Sequence, residues 1–395
     1  MHLAIVTPFP PAITGIGQYG YYVTRALAQS GSFSRITVLA GSGSSGETPN
    51  HLGSSVIDYC WQPGSMNARR AILSRLKHLH PDLVWFNLGA SIFGRSPWTN
   101  VSGSLTPLFA RRIGFPTVVT LHELVEFADL RALNAPGGPL AQLGARLLTN
   151  IATHADVICL TMRQYKSLLS PRPLECTYIP IGAYHEPELL EESNSQELLF
   201  FTTLAPFKGL ELLLESYNRL QKAYPDLKLK IAGAAHARFP NYGRELKDRF
   251  ERMPGLVWLG QVPEERVMNL FRDSQIVVVP YLASTGSSSV LYQAATWGRP
   301  IVASDLKEVR TLAEESNLQI EFFKAGHSDS LSDAIQTLLN SSQKRRQQTR
   351  HNFSSVLQTC PEVTGIKYIQ AFNRAFERRN SPKRIRFPVL DPEAI

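Results

Sequence analysis

With 395 residues the chain exceeds what one ordinary core accommodates and suits two domains of somewhat under about 200 residues each. Hydrophobic residues at 43% and charged residues at 19% exclude a disordered or fibrous chain, and no apolar run approaches the roughly 18 residues of a membrane span. Lys and Arg exceed Asp and Glu by 41 to 33, a net +8 that suits phosphorylated substrates or an anionic membrane surface and by itself selects neither.

The chain opens on residues 3–7, which read as a first strand rather than a signal peptide because Pro8, Pro10 and Pro11 follow at once. Further short apolar runs at 36–40, 83–86, 117–121, 157–160 and 177–179 alternate with helical patterns, the signature of a doubly wound parallel sheet. Each run stops at a small, polar or turn residue, among them Asn87 and His122, and in such sheets the carboxyl ends of the strands form the ligand crevice. Four scattered cysteines, Cys60, Cys159, Cys176 and Cys360, lack any metal-ligand spacing and read as inert thiols in a reducing cytosol.

Gly15-Ile16-Gly17-Gln18-Tyr19-Gly20 satisfies GxGxxG. A dinucleotide fingerprint is disfavoured, since a proline-rich loop separates the glycines from the strand and the second strand ends without the acid that would hold a ribose hydroxyl. Two readings stay open: a glycine loop that brings backbone N–H groups at Gly15 and Gly17 to a phosphate or sugar hydroxyl, or a tight turn alone.

Residues 1–185 are expected to form a first domain, the acidic stretch 186–197 a linker, and 198–361 a second domain with strands at 198–202, 229–232, 257–259, 276–280, 300–303 and 319–322. An amphipathic helix over 362–379 must dock on another element, and 380–395 reads as a tail. In the second domain Thr203, Lys208, Gly233, Gln261 and Val262 fall at or beyond strand ends and could ring one ligand, with Lys208 as a point charge for phosphate. Ser284-Thr285-Gly286-Ser287-Ser288-Ser289 precedes a helix whose free N–H groups suit a diphosphate, although a serine acting only as the helix cap is the competing reading. No DxD pair occurs and no metal-ligand cluster is visible, so neither a metal nor a cofactor is expected.

Taken in order, these residues resemble the retaining glycosyltransferases of family 4, which have the GT-B fold. The likeness runs from the Gly15/Gly17 loop through Thr120-Leu121-His122-Glu123 and Ile179-Pro180-Ile181-Gly182 to Lys208-Gly209 and the block 280–305. It implies two Rossmann-like domains facing across a cleft and a final helix crossing back to the first. The donor, a UDP- or GDP-linked sugar, would bind mainly the second domain, and a glycan, lipid-linked or small-molecule acceptor the first. By resemblance His122, Lys208, Thr285 and Gln293 are the catalytic positions, Gln261 and Val262 meet the nucleobase, and Asn87 is a candidate for acceptor contact. The sequence departs from the family where a two-glutamate motif would stand, at Thr285 and Gln293, and where an arginine would stand, at Thr203; Arg299 is a candidate to compensate.

The expected activity is therefore metal-independent sugar transfer with retention. A non-catalytic sugar-nucleotide or glycan-binding protein, or a nucleotide-sugar epimerase or hydrolase, is the alternative. No nucleic-acid partner is expected. The expected location is the cytoplasm, and basic clusters such as Arg69-Arg70 and Lys344-Arg345-Arg346 leave peripheral contact with the inner membrane face open.

Overall fold

A computed structural model of the chain describes residues 1–12, 14–42, 51–89, 91–127, 129–133, 138–169, 174–284 and 286–380. Thr285 and positions 381–395 of the expected tail lie outside the described residues.

Two sheets organise the molecule. The first contains β1 (His2–Thr7), β2 (Arg35–Gly41), β3 (His51–Leu52), β4 (Ser55–Trp61), β5 (Leu83–Leu88), β6 (Thr117–Leu121), β7 (Val157–Leu160) and β8 (Cys176–Tyr178). Its order is β3-β4-β2-β1-β5-β6-β7-β8, parallel throughout except for the short β3–β4 pair. The second contains β9 (Glu197–Phe201), β10 (Lys228–Ala232), β11 (Leu256–Gly260), β12 (Ile276–Val279), β13 (Ile301–Ser304) and β14 (Glu321–Phe323), all parallel in the order β11-β10-β9-β12-β13-β14. Helices cover both faces, so central strands are buried on both sides and read as unbroken apolar runs. The strands β3 and β4 have no counterpart in the sequence reading. In β4 Asp58 interrupts the apolar residues, as a strand next to a sheet edge allows.

Strand order reverses between β1 and β5 in one sheet and between β9 and β12 in the other. Such switch points open a crevice at the carboxyl ends of the strands. The helix Gly15–Gln29 follows β1 and the helix Ser289–Thr296 follows β12, so each crevice receives a helix start. Gly20 lets the first helix lie directly on the sheet, because a Cβ there would press on Thr7 Oγ1 and the Asn87 amide.

The chain passes between the sheets twice. Residues 186–196 run without helix or strand and are fastened to the second domain: the buried Arg299 guanidinium donates to the carbonyls of Glu191, Trp297 and Ser274, and Glu192 pairs with Arg345 and Arg346. The return passage ends in the helix Pro361–Asn380, which packs on the first domain. Its Tyr368 hydroxyl lies 2.7 Å from the Tyr19 hydroxyl and 2.8 Å from Thr120 Oγ1, and its ring meets that of Trp85 at a tilt, with centroids 4.7 Å apart. The two passages touch where the Ala183 N–H donates to the Thr359 carbonyl at 2.9 Å. Gly182, at φ +67°, turns the chain there against the same carbonyl.

Candidate functional site

The two crevices face each other and enclose a cavity of about 260 Å³. From the first domain it is lined by Thr14, Gly15 and Gln18 at the start of the helix Gly15–Gln29. The second domain contributes Thr202 and Thr203 beyond β9, Gly233 beyond β10, Gln261 and Val262 beyond β11, and Tyr281 beyond β12. Lys208 and residues 287–290, with Gln293 one turn further on, complete the wall.

The local sequence explains this placement. After β9, Pro206–Lys208 forms a 3-10 turn that ends in Gly209 at φ +71°, and a Cβ at Gly209 would overlap the Pro280 carbonyl. The turn therefore lies tightly against the end of β12 and lifts Lys208 towards the cavity. Gly233, at φ +152°, likewise abuts the Thr202 carbonyl, where no side chain fits. These two glycines bring the β9, β10 and β12 ends close enough to share one ligand.

Lys208 is the only charged side chain lining the cavity among the described residues. Its Nζ lies 3.8 Å from the centroid of the Tyr281 ring. The buried Tyr281 hydroxyl lies 3.4 Å from both Thr202 Oγ1 and Ser288 Oγ. Burial pushes that hydroxyl's pKa up, but the Lys208 ammonium together with Ser288 and Thr202 outweighs it and holds the group below the usual phenol value.

Two helix starts reach the cavity, and they differ. In the helix Gly15–Gln29 the Thr14 hydroxyl accepts from the Gly17 N–H at 2.9 Å, so that amide is occupied and Gly17 itself does not line the cavity. In the helix Ser289–Thr296 the preceding Ser288 makes no side-chain capping bond. The capping reading of this serine loop is thereby overturned for Ser288, and the first N–H groups of the helix are left for an anion.

His122 directly follows β6 and does not line the cavity. Its Nε2 lies 2.6 Å from Asn87 Oδ1, and Tyr19 meets its ring edge-on. Burial pushes its pKa down to about 3, so the ring is neutral at ordinary pH. Asn87 is fully buried, donating to Thr7 Oγ1 and to the Ile16 carbonyl at 2.9 Å. Its amide thus orients His122 and has no surface for an acceptor, which corrects the expectation of acceptor contact. Arg299 is also corrected, since its guanidinium holds the linker carbonyl of Glu191 and the second-domain carbonyls of Trp297 and Ser274 and does not line the cavity.

Ser284 and Gly286 do not line this cavity either. Ser284 Oγ donates to the Gly286 carbonyl, and Gly286 forms an antiparallel bridge with Glu123 of the first domain. A Cβ at Gly286 would press on the His122 carbonyl, so the loop lies hard against the end of β6. Thr285 lies outside the described residues. Sequence reasoning brought together Gly15, Thr203, Lys208, Gly233, Gln261, Val262, Ser287, Ser288, Ser289 and Gln293. It missed Thr14 and Gln18 as wall residues, and it placed Thr202 and Tyr281 in the strand-end stretches that could ring a ligand without giving either a role of its own. Thr14, a threonine directly ahead of a helical pattern, was open to recognition as a helix cap. Among the described residues no three His, Cys, Asp or Glu side chains gather as metal ligands.

Residues 195–341 match the family described as Glycosyl transferases group 1. Over 138 residues the chain is 29% identical to phosphatidyl-myo-inositol mannosyltransferase of Mycobacterium leprae, covering 34% of each protein. It is 27% identical over 131 residues to the protein of the same name from Propionibacterium freudenreichii, covering 33% of this chain and 31% of that one. These matches span about a third of the length of the curated relatives. Among solved structures, Anabaena Alr3699/HepE in complex with UDP and glucose superposes with a TM-score of 0.70 at 16% identity, over 94% of this chain and 99% of that one. Sucrose-phosphate synthase (tll1590) from Thermosynechococcus elongatus gives 0.71 at 14% identity, over 95% and 99%. The fold of this chain is GT-B, two parallel-sheet α/β domains facing across a cleft.

Proposed function

We propose that this chain is a retaining glycosyltransferase of family 4, moving a sugar from a nucleoside diphosphate to an acceptor hydroxyl. The observation that carries the reading is the pairing, on one cavity wall, of the Lys208 ammonium with the uncapped start of the helix Ser289–Thr296. A diphosphate is the ligand that such a pair suits, and its charge grows as it leaves. The group 1 match over 195–341 covers the half of the chain that holds these groups, and the relatives' mannosyltransferase names and the UDP-bound neighbour point the same way.

In this reading Gln261 and Val262 flank the nucleobase, Gln293 offers its amide to the ribose, and Lys208 with the amides near Ser289 takes the diphosphate. The bond from the sugar's anomeric carbon to the phosphate oxygen breaks while the acceptor oxygen bonds that carbon from the same face. The acceptor's proton passes to the departing phosphate. Neutral His122, oriented by Asn87, lies below the donor sugar as an uncharged partner. Contact between Glu123 and Gly286 across the cleft limits water at the reacting carbon.

A second reading is binding without turnover. It is favoured by Thr203, which stands on the cavity wall where the family places an arginine, leaving Lys208 as the only charge there among the described residues. Thermal stabilisation by UDP, GDP and dTDP, followed by product formation from the matching labelled sugar nucleotides over an acceptor panel, separates the two. Stabilisation without consumption of any donor selects the second reading. Neither stabilisation nor consumption discards both.

A further inference from the structure

We infer that the helix Pro139–Ala152 of the first domain is a docking face for an anionic lipid bilayer, lying flat on it beside the cleft. Leu140, Leu143 and Leu147 are 85%, 64% and 53% exposed, an unusual display for three leucines at spacings of three and four residues. Such spacing puts them on one side of the helix. The opposite side is engaged: Thr149 and Ala152 are buried, and Thr149 donates to the buried Glu126 at 2.7 Å. The helix therefore has a fixed seat, and its leucine side faces outward.

The patch continues beyond the helix. The 3-10 turn Val125–Phe127 packs along it with Phe127 exposed, and Phe127 shares a cavity wall with the exposed Leu168. Charge selects the occupant. The helix carries no acidic residue, and its Arg146 is exposed. Residues 1–185 hold 14 Lys and Arg against 8 Asp and Glu, a net +6 of the chain's +8. An apolar face flanked by an exposed arginine, on a domain of net positive charge, is the pattern of a helix that buries its leucines at the headgroup boundary of an anionic membrane.

The inner side of the same helix gives the docking a consequence. Ala145, Leu148 and Thr149 line a small cavity together with Gly89 and Glu123, beyond the ends of β5 and β6 where the first domain faces the cleft. An acceptor embedded in the bilayer would thus reach the reacting carbon from beside this helix. Only that consequence rests on the transferase reading; the docking does not.

Cosedimentation tests the face, using the full chain without donor and vesicles of phosphatidylcholine alone or mixed with phosphatidylglycerol. The chain is expected to bind the anionic vesicles at low salt and to be released as salt rises. The double variant Leu143→Asp with Leu147→Asp, both surface positions, should bind at least about tenfold more weakly with an unchanged melting temperature. Arg146→Glu should weaken binding to the anionic vesicles selectively. Absence of binding by the unaltered chain, or equal binding by the double leucine variant, overturns the inference. So does a dimer of the unaltered chain that the double variant converts to monomer, since a second copy would then own the face. Nucleoside-diphosphate stabilisation, measured on the same samples, reports separately on the transferase reading.

Discussion

The Lys208 ammonium sits 3.8 Å above the ring of Tyr281, whose hydroxyl reaches both Thr202 and Ser288. One aromatic side chain therefore joins the cation, the end of β9 and the residue that opens the helix Ser289–Thr296. Removing the cation tests the binding reading directly. Lys208→Ala should lower kcat/KM by roughly a hundredfold or more, as loss of a preorganised charge at a leaving group does. Steady-state kinetics with the accepted donor measure it, and an unchanged kcat/KM would exclude Lys208 from the chemistry.

Tyr281 separates positioning from folding. In Tyr281→Phe the ring beneath the ammonium remains, whereas in Tyr281→Leu it is lost, with a contact of about 0.5–2 kcal/mol. The Leu variant should raise the donor KM several-fold more than the Phe variant. Equal effects would mean that the ring does not hold Lys208.

Gly233 tests the close approach of β9 and β10. Its φ of +152° and the Thr202 carbonyl leave no room for a Cβ. Gly233→Ala should destabilise the second domain by about 1–3 kcal/mol and abolish nucleotide-induced stabilisation. Urea denaturation with and without nucleoside diphosphate reads both effects.

His122 links stability to acid. Its folded pKa of about 3 lies below the ordinary 6.5 because of burial, so the unfolded chain binds the extra proton first as pH falls. The stabilisation from a neutral His122 is complete above pH 6.5 and is lost as pH falls towards 3, with a slope of at most about 1.4 kcal/mol per pH unit. His122→Gln should flatten this part of the stability profile. Activity should show no limb near the ordinary histidine pKa that depends on His122.

The crossing helix is anchored by Tyr368. Tyr368→Phe removes bonds to Tyr19 and Thr120 in a buried setting and should cost about 1–3 kcal/mol of stability. Calorimetry should show the loss in the unfolding of the first domain.

Much of the fold was legible because parallel strands buried on both faces are written as continuous apolar runs: residues 36–40 and 276–279 could hardly be anything else. The strand β4 escaped notice because a near-edge position tolerates Asp58. Lys208, Gln261, Val262 and the serines at the start of the helix Ser289–Thr296 were legible as residues that line the cavity because strand ends and helix starts are local features. Arg299 and Asn87 misled for the opposite reason, since a charged or amide side chain beside a strand end looks the same whether it faces the cleft or satisfies buried backbone.

The sequence by itself determined two doubly wound sheets, the order of their strand-end motifs and the small polar loop that starts a helix, because apolar periodicity and turn chemistry act over a few residues. Only the tertiary structure decided that Lys208 rests on Tyr281, that Thr14 and Gln18 face them from the other domain, and that Asn87 turns inward to His122. Those outcomes depend on how residues far apart in the chain share burial and hydrogen bonds, and no local pattern carries that information.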